Sequence, residues 1–288
     1  MSLKQFSNSI RSIWRNPHIH RGKAIVRHAH WQWKKAWNLF PLEQTISQSR
    51  ITVPHKSCGV GALINSQELY NYNNMKLIQW LLRGGGVFFD VGANIGSFTL
   101  LASELSNVKV FSFEPHPITF QTLQGNVALN HRTNVVLLNV ALGNDDGEAF
   151  LTNVPGGAMN HIQESSAGNG IAIACARGRS ICDAYQVVPQ YMKLDVEGFE
   201  YDVLAGFEEQ LAGVEVLFIE MNGLSNLRSQ GQHAIHDLLS HHRLLGPFMC
   251  DFNRRTLSRE ITTNFTEDHL YAASSTLSRL RRMGWHVP

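Results

Sequence analysis

Residues 87–96 read Val-Phe-Phe-Asp-Val-Gly-Ala-Asn-Ile-Gly and decide the fold. The first five form an apolar run with one acid, Asp90, which is typical of a strand buried on both faces of a sheet. Gly92 and Gly96 allow a tight turn and a close backbone approach to a ligand because neither has a Cβ. A helical pattern follows at 97–105. Together these features predict the first unit of a parallel α/β sheet, with a ligand site at the strand's carboxyl end.

Strands and helices continue to alternate on both sides of this stretch. Apolar runs predict strands at 109–114, 134–141, 192–195 and 215–220, a return strand at 148–152, and weaker strands near Phe248 and Leu270. Periodic segments predict helices at 75–83, 119–129, 200–210 and 233–242. Residues 153–178, rich in Gly, Asn and Ser, predict a loop. The expected fold is a mostly parallel sheet with helices on both faces.

The acid in the turn distinguishes between two cofactors. A dinucleotide site would place a pyrophosphate over this loop, and the Asp90 carboxylate would repel it. The ammonium group of S-adenosylmethionine is a cation that Asp90 could bind. The spacing of Gly92 and Gly96 also fails to complete G-x-G-x-x-G. The turn therefore favours S-adenosylmethionine over NAD.

A second carboxylate, Glu114, ends the second predicted strand, 24 residues after Asp90. At that position a carboxylate can accept hydrogen bonds from both hydroxyls of a ribose, as the corresponding acid of dinucleotide folds does. Pro115 and Pro117 restrict the chain that follows. We predict that Glu114 binds the ribose of the cofactor.

Further carboxylates end the fourth and fifth strands. Lys193, Asp195 and Glu197 alternate along one run, so period two places them on one face, and Glu220 ends the next strand. Two functional roles stay open for Asp195, Glu197 and Glu220. They could act as general base toward a hydroxyl, or they could hold a divalent cation such as Mg²⁺. A salt bridge to Lys193 is the purely structural alternative.

One histidine is a candidate base. His161 lies in the loop between the third and fourth predicted strands. An imidazole there could accept a proton from an acceptor hydroxyl, although a surface position is the simpler expectation for one of fourteen histidines.

These motifs resemble those of the FkbM-type methyltransferases. The resemblance covers about 85–221 and is carried by the glycine turn with Asn94, by 113–115, by Asn126 and Asn130, and above all by Leu-Asp-Val-Glu-Gly-x-Glu at 194–200. It implies a Rossmann-like sheet of seven strands, the last antiparallel, and S-adenosylmethionine-dependent O-methylation of a sugar, glycan or natural product. The resemblance implies that Asp90, Gly92 and Gly96 hold the methionine end, that Glu114 binds the ribose and that Ala141 lies near the adenine. Asn94 is a further cofactor-binding candidate, and Asp195, Glu197 and Glu220 would face the acceptor.

The first 55 residues depart from that family pattern. Residues 1–50 contain nine Lys or Arg and a single acid, Glu43, together with four tryptophans. We predict a basic helical segment over 1–55, with short helices at 4–15 and 22–39, followed by the methyltransferase domain over 56–288. The segment could dock on the domain, join two copies in a homo-oligomer, or grip RNA phosphates.

Composition and motif content limit the alternatives. The 288 residues are 43% hydrophobic and carry a net charge of +2. The chain has no apolar run near 18 residues and no secretory pattern, which predicts a cytoplasmic protein without a membrane span. A nucleic-acid methyltransferase is disfavoured by the carboxylates at 195–197. An NAD-dependent oxidoreductase or epimerase is disfavoured because neither Tyr191 nor Tyr201 is followed four residues later by Lys. A non-catalytic binding module is the remaining alternative.

Overall fold

The computed structural model describes residues 18–152, 162–163, 170–221, 231–259 and 268–288. The helices, numbered in chain order, are α1 (Arg21–Ala36), α2 (Gly59–Gln67), α3 (Tyr72–Leu81), α4 (Ser97–Ser103), α5 (Pro117–Leu129), α6 (Gly178–Tyr185), α7 (Glu200–Ala205), α8 (Gly231–His241) and α9 (Ser274–Arg282). The strands are β1 (Leu42–Ile46), β2 (Ser49–Val53), β3 (Gly86–Val91), β4 (Val108–Phe113), β5 (Val135–Leu138), β6 (Ala141–Gly143), β7 (Gly147–Leu151), β8 (Ile162–Gln163), β9 (Ile171–Arg177), β10 (Tyr191–Leu194), β11 (Val216–Glu220), β12 (Leu244–Asp251), β13 (Thr256–Arg259) and β14 (Asp268–Ala273).

The main sheet has the strand order β13-β12-β14-β11-β10-β3-β4-β5. Neighbours from β11 to β5 are parallel, whereas β14 runs antiparallel to both β11 and β12. The predicted mostly parallel sheet with an antiparallel last strand is therefore confirmed. Among the described residues it has eight strands rather than seven, because β13 adds to β12 at the edge. This four-residue strand buries only Leu257 completely, too little to give an apolar pattern.

The central strand is covered on both faces, as its apolar run predicts. Phe88 and Phe89 are fully buried in two different core clusters. The ring of Phe89 contacts those of Phe111 and Phe113, with centroids 5.1 Å away in each case. Strand order reverses beside β3, since β4 lies on one side and β10 on the other. Ligands of open α/β sheets bind at such a reversal.

A second, four-stranded sheet with the order β6-β9-β7-β8 corrects two predictions. The predicted third strand at 134–141 ends at Leu138, and Ala141–Gly143 joins the second sheet instead. The predicted loop at 153–178 contains strand β9, which pairs with β6 and β7. This pairing is non-local and β9 mixes small with apolar residues, so local pattern does not reveal it.

The N-terminal part combines a helix with a hairpin. Helix α1 begins one residue before the predicted start at 22 and ends three residues before the predicted end at 39. Strands β1 and β2 form an antiparallel hairpin. The predicted helix at 4–15 lies outside the described residues, and the domain boundary at 55 stays a prediction.

The C-terminal part contains two predicted strands and one helix that sequence patterns did not indicate. The strands predicted near Phe248 and Leu270 correspond to β12 and β14. Helix α9 follows directly after β14 and buries Leu277 and Leu280. No helix in the described ranges combines the length and apolar character needed to cross a membrane.

Candidate active site

A cavity of about 300 Å³ lies at the carboxyl ends of the central strands. Its lining includes the last residues of three strands, Val91 of β3, Phe113 of β4 and Glu220 of β11, and Asp195, which follows β10. Because parallel strands end at one edge, four segments distant in sequence meet there. The cavity is therefore at the edge where the sequence predicted a ligand site.

The turn after β3 is shaped by Gly92. Its φ of +80° belongs to the left-handed region, and a Cβ built on it would stand 1.9 Å from the carbonyl oxygen of Asp195. The N–H groups of Gly92 and Ala93 both donate to the Phe113 carbonyl, at 3.0 and 2.9 Å. The turn is thus fixed between β4 and the end of β10, and only glycine fits the first position.

The rest of the loop leads into helix α4. Asn94 lines the cavity, has a φ of +52°, and accepts a hydrogen bond from the Ile95 N–H on its own Oδ1 at 2.8 Å. Gly96 precedes the helix with a φ of +97°. It does not line the cavity, and a Cβ there would lie 2.6 Å from Leu123 Cδ1. Its role in this structure is to let α5 pack closely against the loop.

Glu114 projects a fixed carboxylate into the cavity wall. Its Oε2 accepts from the Asn94 N–H at 2.9 Å, and its Oε1 accepts from the His116 N–H at 2.9 Å. The side chain is 7% exposed, and burial raises its pKa to about 7 against the opposing effect of the two backbone hydrogen bonds. The carboxylate is therefore oriented before any ligand arrives.

Asp90 has a different position from the one expected. Its carboxylate is buried and does not line the cavity. Its Oδ2 accepts a hydrogen bond of 2.6 Å from the hydroxyl of Thr99. Burial raises the pKa of Asp90 to about 6, while Thr99 and the Lys193 ammonium act in the opposite direction. Asp90 thus lies behind the glycine loop, a position that does not favour direct contact with a ligand ammonium.

Three further carboxylates, Asp195, Glu197 and Glu220, do line the cavity. Strand β10 ends at Leu194, and Glu197 has a φ of +51°, so a turn brings Glu197 to the site rather than continued strand alternation. The predicted period-two arrangement is corrected in this respect. The predicted pairing with Lys193 is present, since its buried Nζ lies 3.1 Å from Asp195 Oδ2.

Glu200 supports that turn from inside the protein. Its side chain is 1% exposed, and its Oε1 accepts a hydrogen bond from the Gly198 N–H at 2.9 Å. A carboxylate in the first turn of a helix commonly accepts a hydrogen bond from the backbone that precedes the helix, and this contact caps the helix N-terminus. Glu200 therefore holds the segment that carries Glu197.

Several residues that line the cavity were not indicated by any local sequence pattern. One wall is apolar and combines the predicted Ala141 with Val140, Leu142 and Leu151 of the second sheet region. Helix α2 supplies another wall through Gly59, Val60 and Leu63. Only the long-range pairing of β6 with β9, and the packing of α2, bring these residues to the site.

Asn126 connects the glycine loop to the N-terminal hairpin. This fully buried side chain donates to the Ile95 carbonyl at 2.8 Å and accepts from the Thr52 N–H of β2 at 2.7 Å. Asn130, one turn later, bonds the backbone N–H and carbonyl of Arg50 at 2.8 and 2.6 Å. Both asparagines thus bind β2, but of the two only Asn126 also bonds the loop in the contacts described.

Two features expected from the sequence, a loop histidine and a metal site, are not located by the structure. His161 lies outside the described residues. Among the residues that the structure does describe, no group of three His, Cys, Asp or Glu side chains is arranged to hold a metal ion.

The chain is similar to known methyltransferases. Residues 90–246, just over half of the chain, match the family described as methyltransferase FkbM domain. Hexuronic acid methyltransferase AglP of Haloferax volcanii is 32% identical over 137 residues, covering 47% of this chain and 56% of that protein. The 31-O-demethyl-FK506 methyltransferase FkbM of Streptomyces tacrolimicus is 43% identical over 75 residues, covering 26% and 28%. The structure of M. jannaschii TYW2 in complex with AdoMet covers 80% of this chain and 84% of its own, with 12% identity and a TM-score of 0.43.

The matched range contains the glycine loop, Glu114 and the carboxylates of the cavity. The chain spans only 56% of the length of the first of these relatives. The sheet order, with its antiparallel last strand, is that of a Rossmann-like class I methyltransferase. From the family match and this sheet, the chain belongs to the methyltransferase FkbM-domain family.

Proposed function

We propose that the protein is an S-adenosylmethionine-dependent O-methyltransferase that acts on a hydroxyl of a sugar, glycan or natural product. The observation that carries the proposal is the Glu114 carboxylate, held in the cavity wall by two backbone N–H groups. Two aligned oxygens with free acceptor capacity match a vicinal diol such as that of ribose. The carboxylates of the 195–220 region lie on the same cavity.

The residues present fit S-adenosylmethionine. Glu114 would accept hydrogen bonds from the ribose hydroxyls, and the apolar Ala141 and Leu142 would flank the adenine. The loop from Gly92 to Asn94 would face the methionine portion, where a larger residue at position 92 would collide with Asp195. Asp90 would act from behind the loop, as a buried negative charge near the ligand ammonium. When bound, S-adenosylmethionine supplies a methyl group made electrophilic by its sulfonium.

Asp195, Glu197 and Glu220 would form the side of the cavity that faces the acceptor. A hydroxyl placed against one of these carboxylates would give up its proton to a carboxylate oxygen while its own oxygen bonds to the methyl carbon. The bond between that carbon and sulfur would break at the same time, which leaves S-adenosylhomocysteine. Positioning the hydroxyl is the other contribution, because displacement requires an in-line approach. The buried Lys193 ammonium, 3.1 Å from Asp195, holds that carboxylate in place.

The acceptor class follows from the charge of the cavity. Three carboxylates disfavour a phosphate next to the reacting hydroxyl, which argues against a nucleic-acid acceptor. The named relatives act, by their names, on a hexuronic acid and on 31-O-demethyl-FK506. We propose a neutral hydroxyl-bearing acceptor for this chain, and a panel of neutral sugars and uronic acids tests that choice.

The catalytic assignment is tested by separating binding from turnover. Asp195→Asn, Glu197→Gln and Glu220→Gln are each expected to leave the affinity for S-adenosylhomocysteine within about twofold. At least one of them should lower methyl transfer about 100-fold, the lower range of general-base contributions. Glu209→Gln, at an exposed glutamate away from the cavity, is the matched control. Unchanged turnover in all three variants would contradict the assignment.

The divalent-metal alternative has its own test. Asp195, Glu197 and Glu220 supply the oxygen ligands that such an ion prefers, although the structure does not arrange these three described residues as a metal-binding group. Turnover is measured before and after EDTA treatment and after adding Mg²⁺ back. Activity that survives EDTA supports the metal-free version, and activity that is lost and then restored by Mg²⁺ supports the alternative.

A further inference from the structure

Helix α1 presents an apolar face to solvent. Val26, Trp33 and the C-cap Trp37 are exposed by 68%, 52% and 68%, and His30 between them is also exposed. The spacings of four, three and four residues place these side chains on one stripe of the helix. The rings of His30 and Trp33 stack with centroids 5.7 Å apart. No charged residue interrupts the stripe.

The opposite face already attaches α1 to the protein. Ala24, His28 and Trp31 are buried, and the Trp31 ring meets Phe40 edge to face at 5.3 Å. Asn65 of α2 donates to the Arg27 carbonyl at 3.0 Å. The outward stripe is therefore not needed to hold the helix, although exposing two tryptophans to water is unfavourable.

The charge of α1 is of one sign. The helix has five basic residues and no acid, and Lys23, Arg27 and Lys34 follow one edge of the apolar stripe. A cleft of about 370 Å³ adjoins that edge and is lined by Lys23, Arg27 and Lys76, with Glu68 paired to Arg27. An apolar stripe bordered by positive charge is complementary to a surface of apolar chains with anionic headgroups.

We propose that α1 is an interfacial helix that docks this protein on an anionic lipid surface. Trp33 and Trp37 would enter the headgroup region, and the lysines beside them would meet lipid phosphates. A contact between two α1 helices would cover the stripe but would leave both basic edges without an acid on either helix to pair with. Single-stranded RNA is bound in basic grooves lined with aromatic rings, whereas Trp33 and Trp37 lie on the outward surface of a helix.

Docking on a membrane also has a consequence for the acceptor molecule, and this consequence rests on the proposed function. Helix α2 packs on α1 and lines the cavity with Gly59, Val60 and Leu63. A membrane-bound α1 therefore holds the cavity about one helix diameter, roughly 10 Å, from the lipid surface. An acceptor hydroxyl carried by a membrane-associated molecule would be within reach. Failure of methyl transfer would not affect the binding test below.

The test is vesicle sedimentation of the full chain. We expect binding to phosphatidylcholine vesicles containing phosphatidylglycerol, and much weaker binding to phosphatidylcholine alone. Trp33→Ser combined with Trp37→Ser should lower partitioning at least about tenfold. Lys23→Gln with Lys34→Gln should lower binding to the anionic vesicles by more than about tenfold while leaving the weak binding to neutral vesicles unchanged. Met283→Ser, at a half-exposed apolar residue elsewhere, is the matched control and should bind as the wild type does.

Three results would overturn the proposal. The first is a wild-type protein that stays in the supernatant with both vesicle types. The second is equal binding by the tryptophan variant, provided that its thermal melt matches the wild type. The third is a tryptophan variant that changes only the oligomeric state or RNA retention, which would assign the stripe to a second copy or to nucleic acid.

Discussion

The raised pKa of Glu114 makes cofactor affinity depend on pH. Ribose hydroxyls donate hydrogen bonds, so the ionised carboxylate is the form that binds them best. With a pKa of about 7, the free enzyme has most of its Glu114 ionised at pH 8 but only a small part at pH 5.5. If only the ionised form binds, the titration of Glu114 by itself lowers affinity by roughly 30-fold between these two pH values.

The variant Glu114→Gln isolates this effect. Glutamine is neutral at every pH, so its affinity should be low and nearly flat, with a residual change of at most about fourfold from the titration of Asp90. That residue's pKa of about 6 gives the smaller effect. Glu209→Gln should retain the full 30-fold slope, since that glutamate is exposed and away from the cavity.

Isothermal titration calorimetry with S-adenosylhomocysteine from pH 5.5 to 8 at constant ionic strength is the assay. The 2′-deoxy analogue completes a double-mutant cycle, because it should lose affinity in the wild type and much less in Glu114→Gln. A flat wild-type profile would refute the reasoning. So would a 30-fold slope in Glu114→Gln, which would mean that another group titrates.

The same pKa shift has a stability consequence with a defined sign. The folded-state pKa of about 7 lies above the ordinary value of 4.5, so the folded protein binds the proton more tightly than the unfolded chain. Stability contributed by protonated Glu114 is therefore complete below about pH 4.5 and is lost as pH rises through 7. Relative to Glu114→Gln, the wild type should lose up to about 3 kcal/mol across this window, as measured by denaturant unfolding without ligand.

The remaining predictions concern the loop and its support. Gly92→Ala places a Cβ 1.9 Å from the Asp195 carbonyl oxygen, and it should lower the free energy of unfolding by roughly 3 kcal/mol or abolish binding of S-adenosylhomocysteine. Gly125→Ala lies in a helix with open space around it, and it should raise the free energy of unfolding by about 1 kcal/mol. Equal thermal melts for the two variants would contradict the turn assignment. Asn126→Ala leaves buried backbone groups unpaired and should cost roughly 2–4 kcal/mol while weakening S-adenosylhomocysteine binding. Asn130→Ala, which binds the same strand without reaching the loop, should lower stability alone, and a matching loss of affinity would disprove the link through Asn126.

Local sequence pattern was sufficient for the central sheet. The strands β3, β4, β10 and β11 are predominantly apolar, and most of their residues are buried, as such segments predict. The carboxylates at the ends of three of these strands could be placed at one edge because parallel strands share a direction. Glu114, Asp195 and Glu220 all line the cavity that lies there.

Strand β7 of the second sheet matches the return strand predicted at 148–152, but the rest of that sheet and the hairpin could not be predicted from local pattern. Strand β9 owes its conformation to β6 and β7, and the hairpin β1–β2 owes its position to Asn126 and Asn130, whose partners lie more than 70 residues away. Neither arrangement leaves a local periodic pattern, since hydrogen bonds between distant segments do not depend on the order of side chains within either one.

The sequence by itself thus determined the sheet, its switch point and the acids that end its strands, because those features follow from burial and strand direction. Only the tertiary structure decided how each acid is used. It buried Asp90 against Thr99 behind the loop, fixed Glu114 between two backbone N–H groups, and brought Glu197 to the cavity through a left-handed turn. The physical reason is that side-chain direction and desolvation depend on neighbours distant in the chain, which a local pattern does not specify.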